Sequence, residues 1–222
     1  MKTELIPAII AKNAVEALQK FSTIDPVAPW IQLDITDKTL VPNASWFDLD
    51  EMKHWSIHAN LELHLMVQDP GAVIRRWLTM KRFKRAIWHM EAPVDHEKLI
   101  KFCRKNKIEP GLALSPETES KAILPYRDLI DEVLILGVHP GKSGRALVPA
   151  ALKKIGELKR LAPKVAIGFD GHVTEKNLTM LIKKGANRLY MASAIFEQKE
   201  PAKFFKQMDF RLRENDREHE SS

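Results

Sequence analysis

Short apolar runs alternate along the chain with longer segments in which apolar residues recur at helical spacing. The runs are rich in Ile, Leu and Val, which is typical of parallel strands that are buried on both faces. Eight such runs are present, at residues 5–10, 30–35, 60–66, 85–90, 110–114, 132–138, 165–170 and 188–191. They predict eight parallel strands.

Helix signals lie between these runs. Asp69 and Pro70 form a favourable helix start, with an N-cap residue before a proline at the first helical position. Ser115 and Pro149 stand at two further predicted starts, and Gly185 is a predicted helix end. Strand and helix patterns therefore alternate along most of the chain.

The repeat of this alternation predicts the fold. Eight strand–helix units over 222 residues correspond to roughly 28 residues each, which fits a single (β/α)8 TIM barrel with its helices outside a closed sheet. An open doubly wound sheet is the alternative, because alternation alone does not prove closure. We expect residues 1–208 to form the barrel. Residues 209–222 form a charged tail without hydrophobic periodicity, and we expect it to be disordered.

Composition excludes several classes of protein. With 45% hydrophobic and 29% charged residues, the chain is neither fibrous nor disordered. No apolar stretch approaches the roughly 20 residues of a membrane helix, and the N-terminal apolar run is too short for a secretory signal. A single cysteine, Cys103, excludes an intrachain disulfide. We therefore expect a cytoplasmic protein with no membrane partner.

The net charge bears on the choice of ligand. Thirty-five basic residues against 29 acidic ones give a net charge of +6, which suits a phosphorylated substrate or a nucleic acid. No basic block with interleaved aromatic residues is present, so a nucleic-acid partner is not expected.

Polar residues at predicted strand ends are the first candidates for chemistry, because the active site of a barrel lies at the carboxyl ends of its strands. Gln32 and Asp34 face the same side of one strand, since side chains alternate with a period of two. A buried aspartate is costly unless it is paired or bound to a metal. Asp34, His64 and Asp170 could thus converge from three strands. Alternatively, each is a hydrogen-bonded polar residue with no function.

Six short motifs accompany these candidates. They are Gln-Leu-Asp-Ile-Thr-Asp-Lys-Thr-Leu-Val-Pro-Asn at 32–43, His-Leu-Met at 64–66, His-Met-Glu at 89–91, His-Pro-Gly-Lys-Ser-Gly-Arg at 139–145, Asp-Gly-His at 170–172 and Ala-Ser-Ala-Ile-Phe at 192–196. In order and spacing they resemble the motifs of the ribulose-phosphate 3-epimerase family, and the resemblance covers residues 6–196.

This resemblance implies a fold and a reaction. It implies a barrel of the ribulose-phosphate-binding type and an isomerase of carbohydrate metabolism that converts ribulose 5-phosphate to xylulose 5-phosphate. One aspartate would remove a proton beside the carbonyl and the other would return one to the opposite face, while a divalent metal stabilises the enediolate. By position, Asp34 would be the base and Asp170 the acid.

The resemblance also implies a set of metal ligands, namely Gln32, Asp34, His64 and Asp170. Gln32 stands where family members have histidine, and an amide oxygen is a harder and weaker ligand than imidazole. The metal (Mn, Mg, Fe or Zn) is therefore expected to be weakly held or absent, with preference moved away from zinc. His89 and Glu91 match a family pair and are expected behind the ligands, inside the barrel mouth.

Two loops are candidates for a phosphate site. Glycines after the sixth strand let the backbone approach an anion, and a short helix after the eighth strand can present its N-terminus to one. An ordinary turn is the alternative for the first loop. The residues expected to bind phosphate or substrate are Gly141, Lys142, Ser143, Gly144, Gly171, Ala192 and Ser193, and Met66 is expected to roof the site.

Several positions depart from the family pattern. Ala8 replaces a serine, Thr36 and Leu136 replace methionines, and Lys38 and His172 replace glycines. These changes leave two alternatives open: a non-catalytic or weakened homologue that binds sugar phosphate without a metal, or an epimerase of another phosphorylated ketose. A homo-oligomer is also open.

Overall fold

The computed structural model describes residues 2–139 and 146–220. Its eight parallel strands form a closed barrel in which each strand pairs with the next and the last pairs with the first. The strands are β1 (Glu4–Ile9), β2 (Trp30–Thr36), β3 (Asn60–Met66), β4 (Phe83–His89), β5 (Glu109–Leu114), β6 (Glu132–Leu136), β7 (Ala166–Asp170) and β8 (Arg188–Met191). The predicted (β/α)8 barrel is confirmed, and closure excludes the open sheet.

Helices connect the strands. They are α1 (Ala14–Ile24), α2 (Leu49–Met52), α3 (Pro70–Trp77), α4 (His96–Lys105), a 3₁₀ helix (Ser120–Ile123), α5 (Pro149–Leu161), α6 (Leu178–Lys184), α7 (Ser193–Phe196) and α8 (Pro201–Glu220). Their buried apolar side chains pack with one set of strand side chains in a large outer core. No helix in the described part of the chain is long and apolar enough to span a bilayer.

Most predicted helix boundaries agree with the structure. The Asp69 carboxylate accepts the Ala72 N–H at 2.9 Å and caps α3, and Pro149 begins α5. The helix α6 ends at Gly185, whose φ of 112° is in the left-handed region.

The helix start predicted at Ser115 is wrong, since residues 115–118 form a turn and only a 3₁₀ helix follows. The Ser115 carbonyl accepts a hydrogen bond from Lys154 Nζ at 2.6 Å, and its N–H donates to Glu91 at 3.1 Å. These contacts with α5 and with the segment that follows β4 hold the turn in place of a helix.

The last helix crosses the expected start of the charged tail. Residues 209–220 continue α8 instead of leaving the structure at 208. Phe205, Met208 and Leu212 are all buried in the outer core, and their spacing of three and four residues puts them on one helix face. The tail prediction therefore differs from the structure up to Glu220, because Leu212 extends the apolar face of the helix.

The interior of the barrel is layered. Its middle is apolar and consists of Ile6, Ala8, Ile87, Ala113, Leu134 and Tyr190. The layer towards the carboxyl ends of the strands is polar and contains Gln32, Asp34, His64 and Asp170. The layer towards the amino ends contains Glu62, Arg85, Glu132 and Arg188, and we call these four residues the charged floor.

Ion pairs neutralise much of the charged floor. Arg85 donates to Glu62, which is fully buried, and Arg188 donates to Glu132. The Arg85 guanidinium also lies 4.0 Å from the centre of the Trp30 ring. The floor was not predicted, although charged residues at the amino ends of four predicted strands were a visible signal.

Candidate active site

Strand register brings the first site residues together. Asp34 on β2 pairs in register with His64 on β3. Gln32, two residues before Asp34, faces the same side of β2. Asp170 is the last residue of β7, on another part of the closed sheet. Asp34, His64 and Asp170 therefore lie towards the carboxyl ends of their strands, as predicted, and Gln32 lies two residues earlier on β2.

The four side chains meet inside the barrel mouth. His64 Nδ1 lies 3.0 Å from Asp34 Oδ1 and 3.5 Å from Asp170 Oδ2. Gln32 Nε2 donates to the same two oxygens, at 2.9 and 3.1 Å. Asp34, His64 and Asp170 each offer one ligand atom, and these atoms lie within 4.8 Å of one another. We call these four residues the ligand cluster.

Burial and neighbouring charges shift the pKa values in the ligand cluster. Burial raises the pKa of Asp34 to about 6, with a contribution from the negative charge of Asp170, although hydrogen bonding to His64 opposes the shift. Burial lowers the pKa of His64, but hydrogen bonds and charge from Asp170 and Asp34 outweigh it and raise the pKa to about 10. His64 is therefore an imidazolium between two acidic groups.

The ligand cluster fits a divalent metal ion. Two carboxylates and an imidazole already surround one point, and the Gln32 amide now bridges the two carboxylates there. Gln32 is fully buried and its Oε1 has no hydrogen-bond partner, which costs about 1–3 kcal/mol. Turning the amide over would direct this oxygen to where Nε2 now contacts both carboxylates. Three oxygens and one nitrogen suit Mg²⁺ or Mn²⁺ more than zinc.

A second group of polar residues lies behind His64. His64 Nε2 is 3.1 Å from His89 Nε2, and His89 Nδ1 is 3.0 Å from Glu91 Oε2. The other oxygen of Glu91 accepts hydrogen bonds from the Ser115 N–H at 3.1 Å and from the Thr118 hydroxyl. We call His89, Glu91, Ser115 and Thr118 the support chain. His89 and Glu91 lie where the sequence predicted, whereas the sequence marked Ser115 only as a helix start and did not mark Thr118.

Two residues at the rim of the site, Lys38 and His172, stand where the motif pattern has glycine. Lys38 has a φ of 71° and His172 a φ of 57°, so both adopt the left-handed conformation that favours glycine. Met66, the predicted roof residue, pairs in register with Thr36 at the ends of β3 and β2. The Thr36 hydroxyl is buried and has no hydrogen-bond partner in the described residues.

The predicted phosphate residues fall in two groups. Gly141, Lys142, Ser143 and Gly144 lie outside the described residues. Gly171 directly follows β7 with a φ of 98°, while Ala192 and Ser193 directly follow β8. These two strands are neighbours in the barrel, so the second group lies at one side of the mouth. Phosphate binding by either group stays a prediction.

Fold and geometry together define a class of protein. A (β/α)8 barrel with a buried acid–imidazole–acid cluster at the carboxyl ends of its strands is a barrel enzyme with a candidate metal centre. A family model described as the ribulose-phosphate 3 epimerase family matches residues 4–196. The chain belongs to this family, as its motifs predicted.

Curated relatives agree with this assignment. The chain is 29% identical to ribulose-phosphate 3-epimerase from Schizosaccharomyces pombe over 176 residues, which cover 78% of this chain and 77% of the relative. It is 29% identical to the Bacillus subtilis enzyme of that name over 182 residues, with 79% and 83% covered. It is 24% identical to the Escherichia coli enzyme over 184 residues, with 80% and 81% covered.

Solved structures support the fold. A tryptophan synthase α-subunit from Pyrococcus furiosus superposes with a TM-score of 0.68 at 16% identity, covering 93% of this chain and 97% of that one. A likeness at this identity concerns the barrel alone. The enzyme class of this chain follows from its family, and the family implies a phosphorylated sugar as substrate.

Proposed function

We propose that this protein is an epimerase that converts ribulose 5-phosphate to xylulose 5-phosphate. The observation that carries the proposal is the convergence of Asp34 and Asp170 on the His64 imidazole, in a chain of the ribulose-phosphate 3-epimerase family. Inverting a carbon centre by proton transfer needs an acid and a base on opposite faces of that carbon. Two carboxylates on separate strands supply such a pair.

The roles of the two aspartates follow from this requirement. Asp34 removes the proton from the carbon next to the carbonyl, and the bonding electrons move towards the carbonyl oxygen. Asp170 enters as the carboxylic acid and delivers its proton to the opposite face of the same carbon. Asp34 Oδ1 and Asp170 Oδ2 face the ligand cluster, so the second oxygen of each is the one proposed to exchange protons with the substrate.

A divalent metal would be held by Asp34, His64 and Asp170, with Gln32 Oε1 as a fourth and weaker ligand. When bound, it would polarise the substrate carbonyl and stabilise negative charge on its oxygen. To be a ligand, His64 would have to give up its Nδ1 proton, because only an unprotonated nitrogen has a lone pair to offer. Gln32 would have to turn its amide, which would give its unpartnered Oε1 a role.

Substrate binding is proposed for the rim of the barrel. Gly171, Ala192 and Ser193 would contact the phosphate together with residues 141–144, and Met66 would cover the sugar. Backbone N–H groups in such loops are favourable anion ligands. A cytoplasmic location, a homo-oligomer and the absence of nucleic-acid and membrane partners remain predictions from the sequence.

A coupled assay for xylulose 5-phosphate tests the proposal. Purified protein is supplied in turn with Mn²⁺, Mg²⁺, Fe²⁺ and Zn²⁺, and the rate is compared with that of Asp34→Asn. We expect the substitution to lower kcat by about 10²–10⁴-fold, the usual worth of a positioned base. Asp48→Asn, which changes only the N-cap of α2, is the matched control and should retain activity. Turnover that never exceeds that of Asp34→Asn would refute the proposal.

One observation favours a second candidate function. Gln32 Nε2 bridges the carboxylates of Asp34 and Asp170, where a bound cation would otherwise neutralise their charge. The chain could therefore be a sugar-phosphate-binding protein without a metal or turnover. Calorimetric binding of ribulose 5-phosphate, with no exchange of its carbon-bound hydrogen in D₂O under any of the four metals, would support this candidate over the epimerase.

A further inference from the structure

The support chain ends in a fixed acceptor. Ser115 donates its backbone N–H to Glu91 Oε1, and the Thr118 hydroxyl donates to the same oxygen. A backbone N–H can only donate. Glu91 Oε1 is therefore fixed as an acceptor by a group whose direction is set by the chain itself.

The turn that supplies these donors is held from behind. Lys154 on α5 is buried, and its Nζ donates to the carbonyls of Ser115 and Thr118. Neither carbonyl belongs to a regular helix or strand. Lys154 thus anchors the turn that orients Glu91.

The second oxygen of Glu91 faces an imidazole. Glu91 Oε2 lies 3.0 Å from His89 Nδ1, and an ionised carboxylate can only accept. Burial raises the pKa of Glu91, but hydrogen bonds from His89 and Thr118 outweigh burial and lower the pKa to about 2, so the carboxylate is ionised. The proton between these two groups is on His89 Nδ1.

The same reasoning continues to His64. His64 lies between two carboxylates, at 3.0 and 3.5 Å, whereas His89 faces only one, so the positive charge is placed on His64 and His89 Nε2 keeps its lone pair. His89 Nε2 lies 3.1 Å from His64 Nε2, and one of these two nitrogens must carry the proton. It is on His64 Nε2, which leaves Nδ1 as the nitrogen that faces Asp34 and Asp170.

We propose that Glu91 and His89 are positioning residues that fix the tautomer of His64 and so reserve His64 Nδ1 for the metal. The proposal rests on the proposed function, because it assumes that the ligand cluster takes up a divalent cation. Beyond the proposed function, it explains why Nδ1 of His64, and not Nε2, would bind the metal. Outer partners of this kind commonly change metal affinity by about 10–100-fold when they are altered.

The substitution Glu91→Gln should change which ring nitrogen carries the proton in both His89 and His64. The Ser115 N–H can only donate, so the glutamine oxygen must accept from it. The amide NH₂ then faces His89 Nδ1. His89 Nδ1 then accepts, and the proton moves to His89 Nε2. His64 Nε2 in turn accepts, so the one remaining ring proton of His64 is on Nδ1, and a metal could displace it only by leaving an imidazolate.

Two measurements on full-length protein test the inference. The first is the ¹⁵N–¹H long-range correlation spectrum of metal-free protein labelled in histidine, with the His89 signals assigned by the loss of one set in His89→Gln. We expect the Nδ1–H tautomer of His89 in the wild type and the Nε2–H tautomer in Glu91→Gln. An Nε2–H tautomer in the wild type, or no change in Glu91→Gln, would overturn the inference.

The second measurement is Co²⁺ affinity, followed by visible absorption in competition with a chelator. We expect Glu91→Gln to weaken binding by about 10–100-fold, with an unchanged circular dichroism spectrum. Glu97→Gln is the matched control, since it makes the same change at an exposed glutamate that pairs only with Lys101 on α4. It should keep the wild-type tautomer and an affinity within about threefold of the wild type. Equal Co²⁺ affinity in Glu91→Gln and the wild type contradicts the inference.

The two proposals fail in different ways. If the wild type lacks epimerase activity while Glu91→Gln shows both expected changes, the proposed function is refuted and the inference stands. If the wild type is an active epimerase but its tautomer or Co²⁺ affinity does not respond to Glu91→Gln, the inference is refuted alone. If the wild type does not bind Co²⁺, the role of Glu91 and His89 in metal binding is refuted whatever the activity.

Discussion

At the scale of single residues, His64 determines the charge balance of the site. Its imidazolium lies between Asp34 and Asp170, and a metal ion must displace its Nδ1 proton. The strand-end positions of these three residues were enough to predict that they converge. The hydrogen bonds of Gln32 to both carboxylates could not be predicted, because the orientation of an amide depends on neighbours that only the folded chain supplies.

Metal affinity should depend on pH because of this proton. The raised pKa of His64, about 10, means that the proton is present at pH 7 and must be released on binding. We expect Mn²⁺ affinity to rise about tenfold per pH unit between pH 7 and 9. Below about pH 6 the dependence should steepen, because Asp34, whose pKa is raised to about 6, also binds a proton.

Titration calorimetry in buffers of different ionisation enthalpy measures this effect. About one proton should be released per Mn²⁺ at pH 7.5. His58→Gln is a suitable control, because this histidine pairs with Asp25 at the protein surface and should leave proton release unchanged. An affinity that does not change between pH 7 and 9 would contradict the charge assigned to His64.

At the scale of elements, apolar runs predicted the strands correctly, and tertiary contacts explain where a predicted helix did not form. All eight strands lie within two residues of the predicted runs. The turn at residues 115–118 replaced a predicted helix because Lys154 and Glu91 bind its backbone. Such contacts come from distant parts of the chain, so the local pattern carried no sign of them.

The charged floor should contribute strongly to stability. Replacing Arg85 with methionine keeps much of its length but leaves Glu62 buried without its ion pair. We expect Arg85→Met to lower the free energy of unfolding by about 3–5 kcal/mol, as for other broken buried pairs. Urea unfolding measures the change. The exposed pair of Arg76 with Asp50 supplies the control, because solvent screens such pairs.

The urea midpoint of the control variant is the reference for the effect of Arg85→Met. Arg76→Met should leave the urea midpoint close to that of the wild type. If Arg85→Met were equally mild, the ion pairs of the floor would be dispensable, and the apolar middle layer alone would hold the amino end of the barrel closed.

At the scale of the whole molecule, barrel closure is what makes the site. Asp34 and Asp170 are 136 positions apart in sequence, and they meet because β8 pairs with β1 and closes the sheet. The alternation of strands and helices predicted the number of units, but closure is a property of the assembled sheet. The extension of α8 beyond residue 208 was missed, because the single apolar residue Leu212 is a weak signal within a charged segment.

The central claim is that Asp34 and Asp170 act on opposite faces of one substrate carbon. Its most direct test is the reaction of ribulose 5-phosphate in D₂O with Mn²⁺, followed by ¹H NMR. We predict xylulose 5-phosphate carrying one solvent deuterium at the inverted carbon, and loss of product formation by about 10²–10⁴-fold in Asp34→Asn and in Asp170→Asn. Product that keeps its original hydrogen, or normal turnover in either variant, would contradict the claim.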